Sequence, residues 1–264
     1  EALVAALLLR ETLESETGTA ALVTPEAAVG RRVAAILRRW GVEIAPSSGT
    51  PFHRTHIGSF LLLVMRWARD PADPVLLLAM LKHEFTSLRQ SRDDLIRTTS
   101  ALEIAALRGP RLDRTLEALA HRLEHPRGGK YAAAPQKEGA DLVRQLGATL
   151  HPFASVLGSE TIDGTVASEA CAKLAMSLAA SPSDPTGGRI WSGRHGAMAI
   201  QFIEQLGELC GEMGGVEGAL WSDFARAVAQ RMIAAPETSE HPRIAIWGPL
   251  EARLQRRDRM ILAD

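Results

Sequence analysis

Strand-forming sequence sits near the two ends of this 264-residue chain, and nearly everything between reads as helix. Near the start, Thr19-Ala20-Ala21-Leu22-Val23-Thr24 is a short apolar run of the kind that forms a buried strand. A helix over residues 2–15 precedes it, and Pro25 follows, a residue suited to a helix's first turn. Thr24 is placed as N-cap, with Glu26 near the positive helix end. The spacing of Val29, Val33, Ile36 and Leu37 predicts a helix to about Trp40, with Gly41 as C-cap and Val42-Glu43-Ile44 as a second strand. Strand, crossover helix and strand within about thirty residues make a βαβ unit, which implies a parallel sheet. At the far end, Arg243-Ile244-Ala245-Ile246-Trp247 and Met260-Ile261-Leu262 are strand-like, and residues 249–256 read as a short helix opened by Gly248-Pro249.

The middle carries only helical periodicity. Helices are predicted over 58–69, 74–82, 91–107, 111–124, 141–157 (kinked at Pro152), 165–179, 196–212 and 216–233. Breaks fall at the Asp70–Pro74 turn, at Gly109-Pro110, in a loop over 126–139 and in a linker over 181–188. The expected fold is therefore α/β with a large all-α insertion. Residues 1–56 and 236–264 form a discontinuous, incomplete half-domain, and residues 57–235 form the insertion. The two ends are expected to share one sheet, because each alone is too small to cover both faces.

Composition narrows the class. Hydrophobic residues at 46% and charged residues at 23% permit a buried core and exclude global disorder. Lys+Arg 30 against Asp+Glu 31 leaves a net charge of −1, so no bulk positive charge marks a nucleic-acid binder, although a local basic face can. Aromatic content of 5% disfavours a base-stacking platform. Cys171 and Cys210 form no CxxC pair, which argues against a disulfide framework or structural zinc and for a reducing cytoplasm. The longest apolar stretch, residues 60–65, is far short of the ~20 residues that cross a bilayer. Both ends read as cuts from a longer chain, with no initiating Met or basic leader at the first.

The catalytic motifs dissolve on inspection. A phosphate loop needs Gly, four residues, Gly-Lys and Ser/Thr; Gly129-Lys130 is followed by Tyr131, and Glu124 stands where the first glycine belongs. The Gly211, Gly214, Gly215 and Gly218 cluster follows a helix and reads as an interhelical turn. His121-Arg122-Leu123-Glu124-His125 matches the inverted zinc-protease pattern, yet Leu112, Leu116, Leu119 and Leu123 define the buried stripe and place both histidines on the opposite face. His53 and His56 sit in a loop beside Arg54. His83 and Glu84 diverge by ~100° on a helix and do not face each other. No G-x-S-x-G elbow occurs, and Cys171 reads as a core thiol. No catalytic or metal-binding residue is expected.

Positive charge is almost all arginine, the lysines being Lys82, Lys130, Lys137 and Lys173. Arg31, Arg32, Arg38 and Arg39 line one helix, while Arg253, Arg256, Arg257 and Arg259 crowd the end. Guanidinium groups fork onto phosphates and carboxylates alike. Arg31, Arg32, Arg54, Arg253 and Arg256 are the candidate nucleic-acid contacts, against a solvated or partner-facing reading of the same groups.

The block His241-Pro242-Arg243-Ile244-Ala245-Ile246-Trp247-Gly248-Pro249-Leu250-Glu251-Ala252-Arg253-Leu254-Gln255 resembles the bacterial double-strand break repair family AddB. The segments Thr19-Ala20-Ala21-Leu22-Val23-Thr24-Pro25, Trp40-Gly41-Val42, Gly49-Thr50-Pro51, Leu77-Leu78-Ala79-Met80-Leu81-Lys82-His83 and Leu107-Arg108-Gly109-Pro110-Arg111 are similar too. The resemblance implies a subunit that joins an AddA-type helicase–nuclease partner to resect broken DNA ends for recombination. It also implies a RecA-like second motor domain of superfamily 1 type, split by a helical insertion, with the strands near 19–24, 42–44, 243–247 and 259–262 in the motor half. Active relatives carry an arginine where Thr24-Pro25 stands, and a histidine, a lysine and Gly-Leu-Glu where this chain has Pro249-Leu250-Glu251-Ala252 and Arg253-Leu254-Gln255. Loss of those groups removes interactions that couple hydrolysis to movement. The implied role is a catalytically silent scaffold for DNA and the partner subunit, with ATP and magnesium belonging to the parent complex and no cofactor here. A helical adaptor that touches protein and no DNA is the alternative, and an active motor would need a phosphate loop upstream.

Overall fold

The computed structural model describes residues 1–108, 110–111, 113–125, 134–234 and 241–264. It divides into two compact units, Glu1–Pro51 with Ile233–Asp264, and Phe52–Met232.

The first unit contains α1 (Ala2–Thr12), β1 (Ala20–Val23), α2 (Ala27–Arg39), β2 (Thr50–Pro51), β3 (Ile233–Ala234), β4 (Ile244–Trp247) and β5 (Arg259–Leu262). Three strands form a parallel sheet in the order β4-β1-β5, with Leu22 opposite Ile246 on one side and Ile261 on the other. Side chains alternate between faces. Ala20, Leu22, Ile244 and Ile246 therefore share the face that packs on Ala5, Ala6 and Leu9 of α1 and on Val33 and Leu37 of α2. Met260 and Leu262 fall on the other face and stay exposed.

Polar contacts tie the distant ends of the chain at this sheet. The Thr19 hydroxyl donates to Asp258 Oδ2 (2.7 Å), and the Asp258 backbone N–H donates back to the Thr19 oxygen (3.1 Å). The hydroxyl bond, together with the Thr19 N–H that donates to the same Oδ2 (2.9 Å), holds the Asp258 carboxyl below its usual range. Arg243 donates to the Leu13 carbonyl (3.0 Å) and to that of Ser15, past the end of α1 where carbonyls lack helical partners. Arg259 donates to Glu11 Oε2 at 2.5 Å.

Three expectations for this unit fail. Residues 42–44 are not a strand, so the local βαβ unit is absent and both parallel neighbours of β1 come from the far end. The segment skirts β4 and makes one ladder-like bond, Ser47 N–H to the Ile246 carbonyl (2.9 Å). Pro46 has no N–H to extend it. Residues 249–256 are a run of turns, since Leu254 takes φ 64°, outside the helical region. The antiparallel pair β2–β3 arises where a loop and a helix end were expected. Gly49 makes it possible: at φ +67° a Cβ there would lie 2.3 Å from the Ala234 carbonyl oxygen.

The second unit is helical: α3 (His56–Arg69), α4 (Pro74–Lys82), α5 (Arg92–Leu102), α6 (Leu116–Glu124), α7 (Ala134–Leu157), α8 (Gly164–Ala179), α9 (Gly193–Glu212) and α10 (Trp221–Arg231). Side-chain caps fix five starts. Thr55, Asp73, Ser91, Thr115 and Asp163 each accept a first-turn backbone N–H. The cap at Thr115 explains why α6 begins five residues after the expected 111, and α5 continues as a π-helical turn over Glu103–Leu107. α7 reaches back to Ala134, into the expected loop over 126–139. Gly109, Leu112 and the Gly129-Lys130-Tyr131 motif lie outside the described residues. The Ser181–Gly188 stretch is a bonded turn inside this unit. The Asp184 carboxylate accepts from Thr186 Oγ1 (2.8 Å) and from the Arg189 N–H (2.9 Å). The few aromatics are concentrated in the core, where Trp67, Trp221, Phe52, Phe60, Phe153 and Phe202 are fully buried. Phe52 packs on Phe202 with ring centroids 5.0 Å apart, which places residues 52–56 in the helical unit. Among the described residues no helix is long and apolar enough to cross a membrane.

Candidate functional site

In open α/β sheets ligands meet the loops that leave the carboxyl ends of the strands. Here β1 exits through Thr24–Glu26 into α2, and β4 exits into the turns over 248–258. Parallel pairing of Val23 with Trp247 sends both exits over the same edge. They are bonded together there. Thr24 N–H donates to the Trp247 carbonyl (3.0 Å), and Gly248 N–H donates to Ser47 Oγ (3.3 Å). Thr24 does not cap α2; its hydroxyl accepts from Glu26 N–H (3.1 Å) and the helix starts at Ala27. Gly30 sets α2 against β4, since a Cβ there would lie 3.1 Å from Ile246 Cγ2.

Arg31 and Arg32 follow Gly30 directly, about 6 Å along the axis from the helix start. Arg32 is exposed, while Arg31 is half-buried and engaged within the fold. On the β4 exit, Arg253 and Arg256 are exposed and carry no ion pair with the described residues. The Arg257 guanidinium stacks over Trp247 at 5.3 Å from the ring centroid. Leu250 and Leu254 of the same turns are exposed, Leu254 completely. The edge is chemically mixed, because exposed Glu26 and Glu251 sit among the arginines.

The sequence candidates therefore separate. Arg31, Arg32, Arg253 and Arg256 lie on segments at one sheet edge. Arg54 belongs to the 3₁₀ turn Phe52–Arg54 of the helical unit, exposed and without an ion pair among the described residues. Arg259 is held by Glu11, at the start of β5 and away from this edge. Sequence reasoning missed the exposed leucines beside the arginines, because residues 249–256 were expected to be a short helix.

Other titratable groups find structural partners. The His121 and His125 rings stack at 4.4 Å, the His125 ring bonds the His121 carbonyl, and Glu124 pairs with Arg144. Among the described residues no group of three His, Cys, Asp or Glu side chains is arranged to hold a metal. Glu84 pairs with His56, while the His83 ring packs on Phe60 at 4.9 Å. The His56–Glu84 pairing spans 28 residues and left no local signal. Burial pushes the Cys171 thiol up to about 12, which keeps it protonated and unreactive.

Two histidines give the protein an acid limit. Burial lowers the pKa of His83, opposed by Glu84 and aided by His56 and Arg92. Burial and then Arg243 lower that of His241, whose Nδ1 accepts from the Arg243 and Ile244 N–H groups at 3.2 Å each. Each folded-state value lies below 6.5, so the unfolded chain binds protons first as pH falls. Their contribution is complete above pH 6.5 and is lost below it, toward the folded values. Urea-denaturation midpoints should drop when pH is lowered through 6.5, and His83→Phe should flatten that dependence. An unchanged slope in the variant would remove His83 as a cause.

Scanned against protein-family models and against curated proteins, the chain has no match in either.

Proposed function

We propose that this chain is a catalytically silent, helicase-like scaffold that binds DNA and an AddA-type helicase–nuclease subunit during resection of broken ends. Its α/β unit corresponds in this reading to the RecA-like second motor half and its helical unit to the insertion. The observation that carries the reading is the parallel sheet built from both ends of the chain, with exposed Arg32, Arg253 and Arg256 on segments at its carboxyl edge. The resemblance of residues 241–255 to the AddB family supplies the biological setting. Absence of the arginine, histidine and lysine that active relatives carry at Thr24-Pro25 and 249–255 supports a silent role.

The test is the salt dependence of binding to a labelled duplex end. Affinity should fall linearly on a log–log plot as salt rises, from release of counterions. Reversing Arg32, Arg253 and Arg256 to Glu should weaken binding and flatten the slope by about one unit for each phosphate the arginines had neutralised. Salt-insensitive binding, or unchanged binding by the triple variant, overturns the reading. The adaptor alternative draws support from exposed Leu250 and Leu254 on the same turns. It wins if Leu250→Ser with Leu254→Ser blocks assembly with the partner subunit while the arginine reversals leave DNA affinity intact.

A further inference from the structure

The helical unit holds a second basic feature that the sequence did not single out. Between α3 and α10, closed on one side by Leu76 of α4, lies a cleft of about 350 Å³. Arg66 and Arg69 line it from the last turn of α3, and Asp223 and Arg226 line it from the first half of α10. Asp70 also borders it, but both of its carboxylate oxygens are taken by the fork of Arg111. Asp223 is then the remaining counter-charge, and it reaches Arg69 only at 3.6 Å, beyond good hydrogen-bond length. Arg66 and Arg226 pair with no carboxylate among the described residues. Three guanidinium groups thus line the cleft against a single loosely held carboxylate, which leaves the concave site locally positive.

We propose that this cleft binds a phosphoryl anion. A carboxylate is satisfied by one planar fork, as Asp70 is by Arg111. Three forks approaching from two helices instead match a tetrahedral oxyanion, whose several oxygens accept from different directions and whose negative charge offsets the positive site. The volume, equal to about twelve waters, admits the phosphoryl group with part of what carries it. That carrier is either a nucleic-acid backbone or a small phosphorylated compound. The proposal is independent of the sheet edge, because none of its residues lies in that unit.

The test compares the 264-residue chain with the double variant Arg66→Ala and Arg226→Ala, using pyrophosphate, citrate and a short labelled single-stranded oligonucleotide as probes. Both side chains are exposed, and an unchanged urea midpoint verifies the fold. The expected result is binding of pyrophosphate well above that of citrate, weakened at least about tenfold in the variant, the scale of removing one charge-assisted bond. If oligonucleotide affinity falls in step, with a salt slope shallower by about 1.4 for two phosphates no longer neutralised, the carrier is a nucleic-acid backbone. If it does not change while pyrophosphate binding is lost, the ligand is a small phosphorylated compound. Equal binding of pyrophosphate by both proteins, or citrate bound as tightly as pyrophosphate, overturns the proposal.

Discussion

Replacing Gly187 with alanine is expected to destabilise the helical unit by about 2–5 kcal/mol. Two separate costs meet at this position. Gly187 has φ +69°, a left-handed backbone that costs an alanine ~1–2 kcal/mol. Its Cβ would also fall 2.0 Å from the Met176 carbonyl oxygen, which already accepts the Ala180 N–H at 2.8 Å at the end of α8. Backbone cannot yield as a side-chain tip can, so the collision adds an overpacking cost of roughly 1–3 kcal/mol. Gly193 is the matched control. It has nearly the same φ, +71°, with nothing within 4 Å of its Cβ position. Gly193→Ala should show the backbone cost alone, about 1–2 kcal/mol. Urea denaturation of both variants measures the difference. Equal losses would mean that the turn after α8 relaxes freely and that its close approach carries no energy.

How much of this could be read from the residues depended on how local the signal was. α4 was expected at 74–82 and lies at Pro74–Lys82, because Asp73, Pro74 and the apolar run supply start, direction and face within one short segment. β1, β4 and β5 were legible for the same reason, as β-branched or apolar runs bounded by Gly, Pro or Asp. Failures came where a residue's partner lies far along the chain. The strand expected at 42–44 had a strand-like composition, but β1 found its parallel neighbours more than two hundred residues away. β2 and β3 are two residues each and exist only through one another, Gly49 excepted. The arginine candidates were chosen by clustering in sequence, and the sheet topology then separated them. Arg253 and Arg256 leave the carboxyl edge, whereas Arg259, three residues on from Arg256, is bound to Glu11. The cleft of Arg66 and Arg226 left no trace, since its two walls are about 160 residues apart and each arginine alone looks like an ordinary solvated charge.

Trp67→Ala should be the other severe substitution, costing about 3–5 kcal/mol, the range for truncating a large buried aromatic. Trp67 is fully buried in the helical core, and its indole Nε1–H donates to the Pro71 carbonyl at 3.0 Å. It therefore acts on the core and on the turn that follows α3. That turn presents Asp70 to the Arg111 fork, and Asp73 to the Val75 and Leu76 N–H groups (2.9 and 2.8 Å) that start α4. Truncation removes the packing and leaves the Pro71 carbonyl to find another donor. Trp67→Phe separates the two roles. It keeps most of the apolar volume but loses the N–H, so a cost of about 1–2 kcal/mol is expected. Hydrogen exchange reports the turn directly: amides of α8 should exchange faster in each variant in proportion to its loss of global stability, while those of Val75 and Leu76 should exchange faster than that loss alone accounts for in both. If Trp67→Phe speeds Val75 and Leu76 by no more than that loss, the indole hydrogen bond does not hold the turn. Trp67 would then contribute through volume alone, and the geometry that frees Arg69 by engaging Asp70 with Arg111 would rest on that ion pair instead.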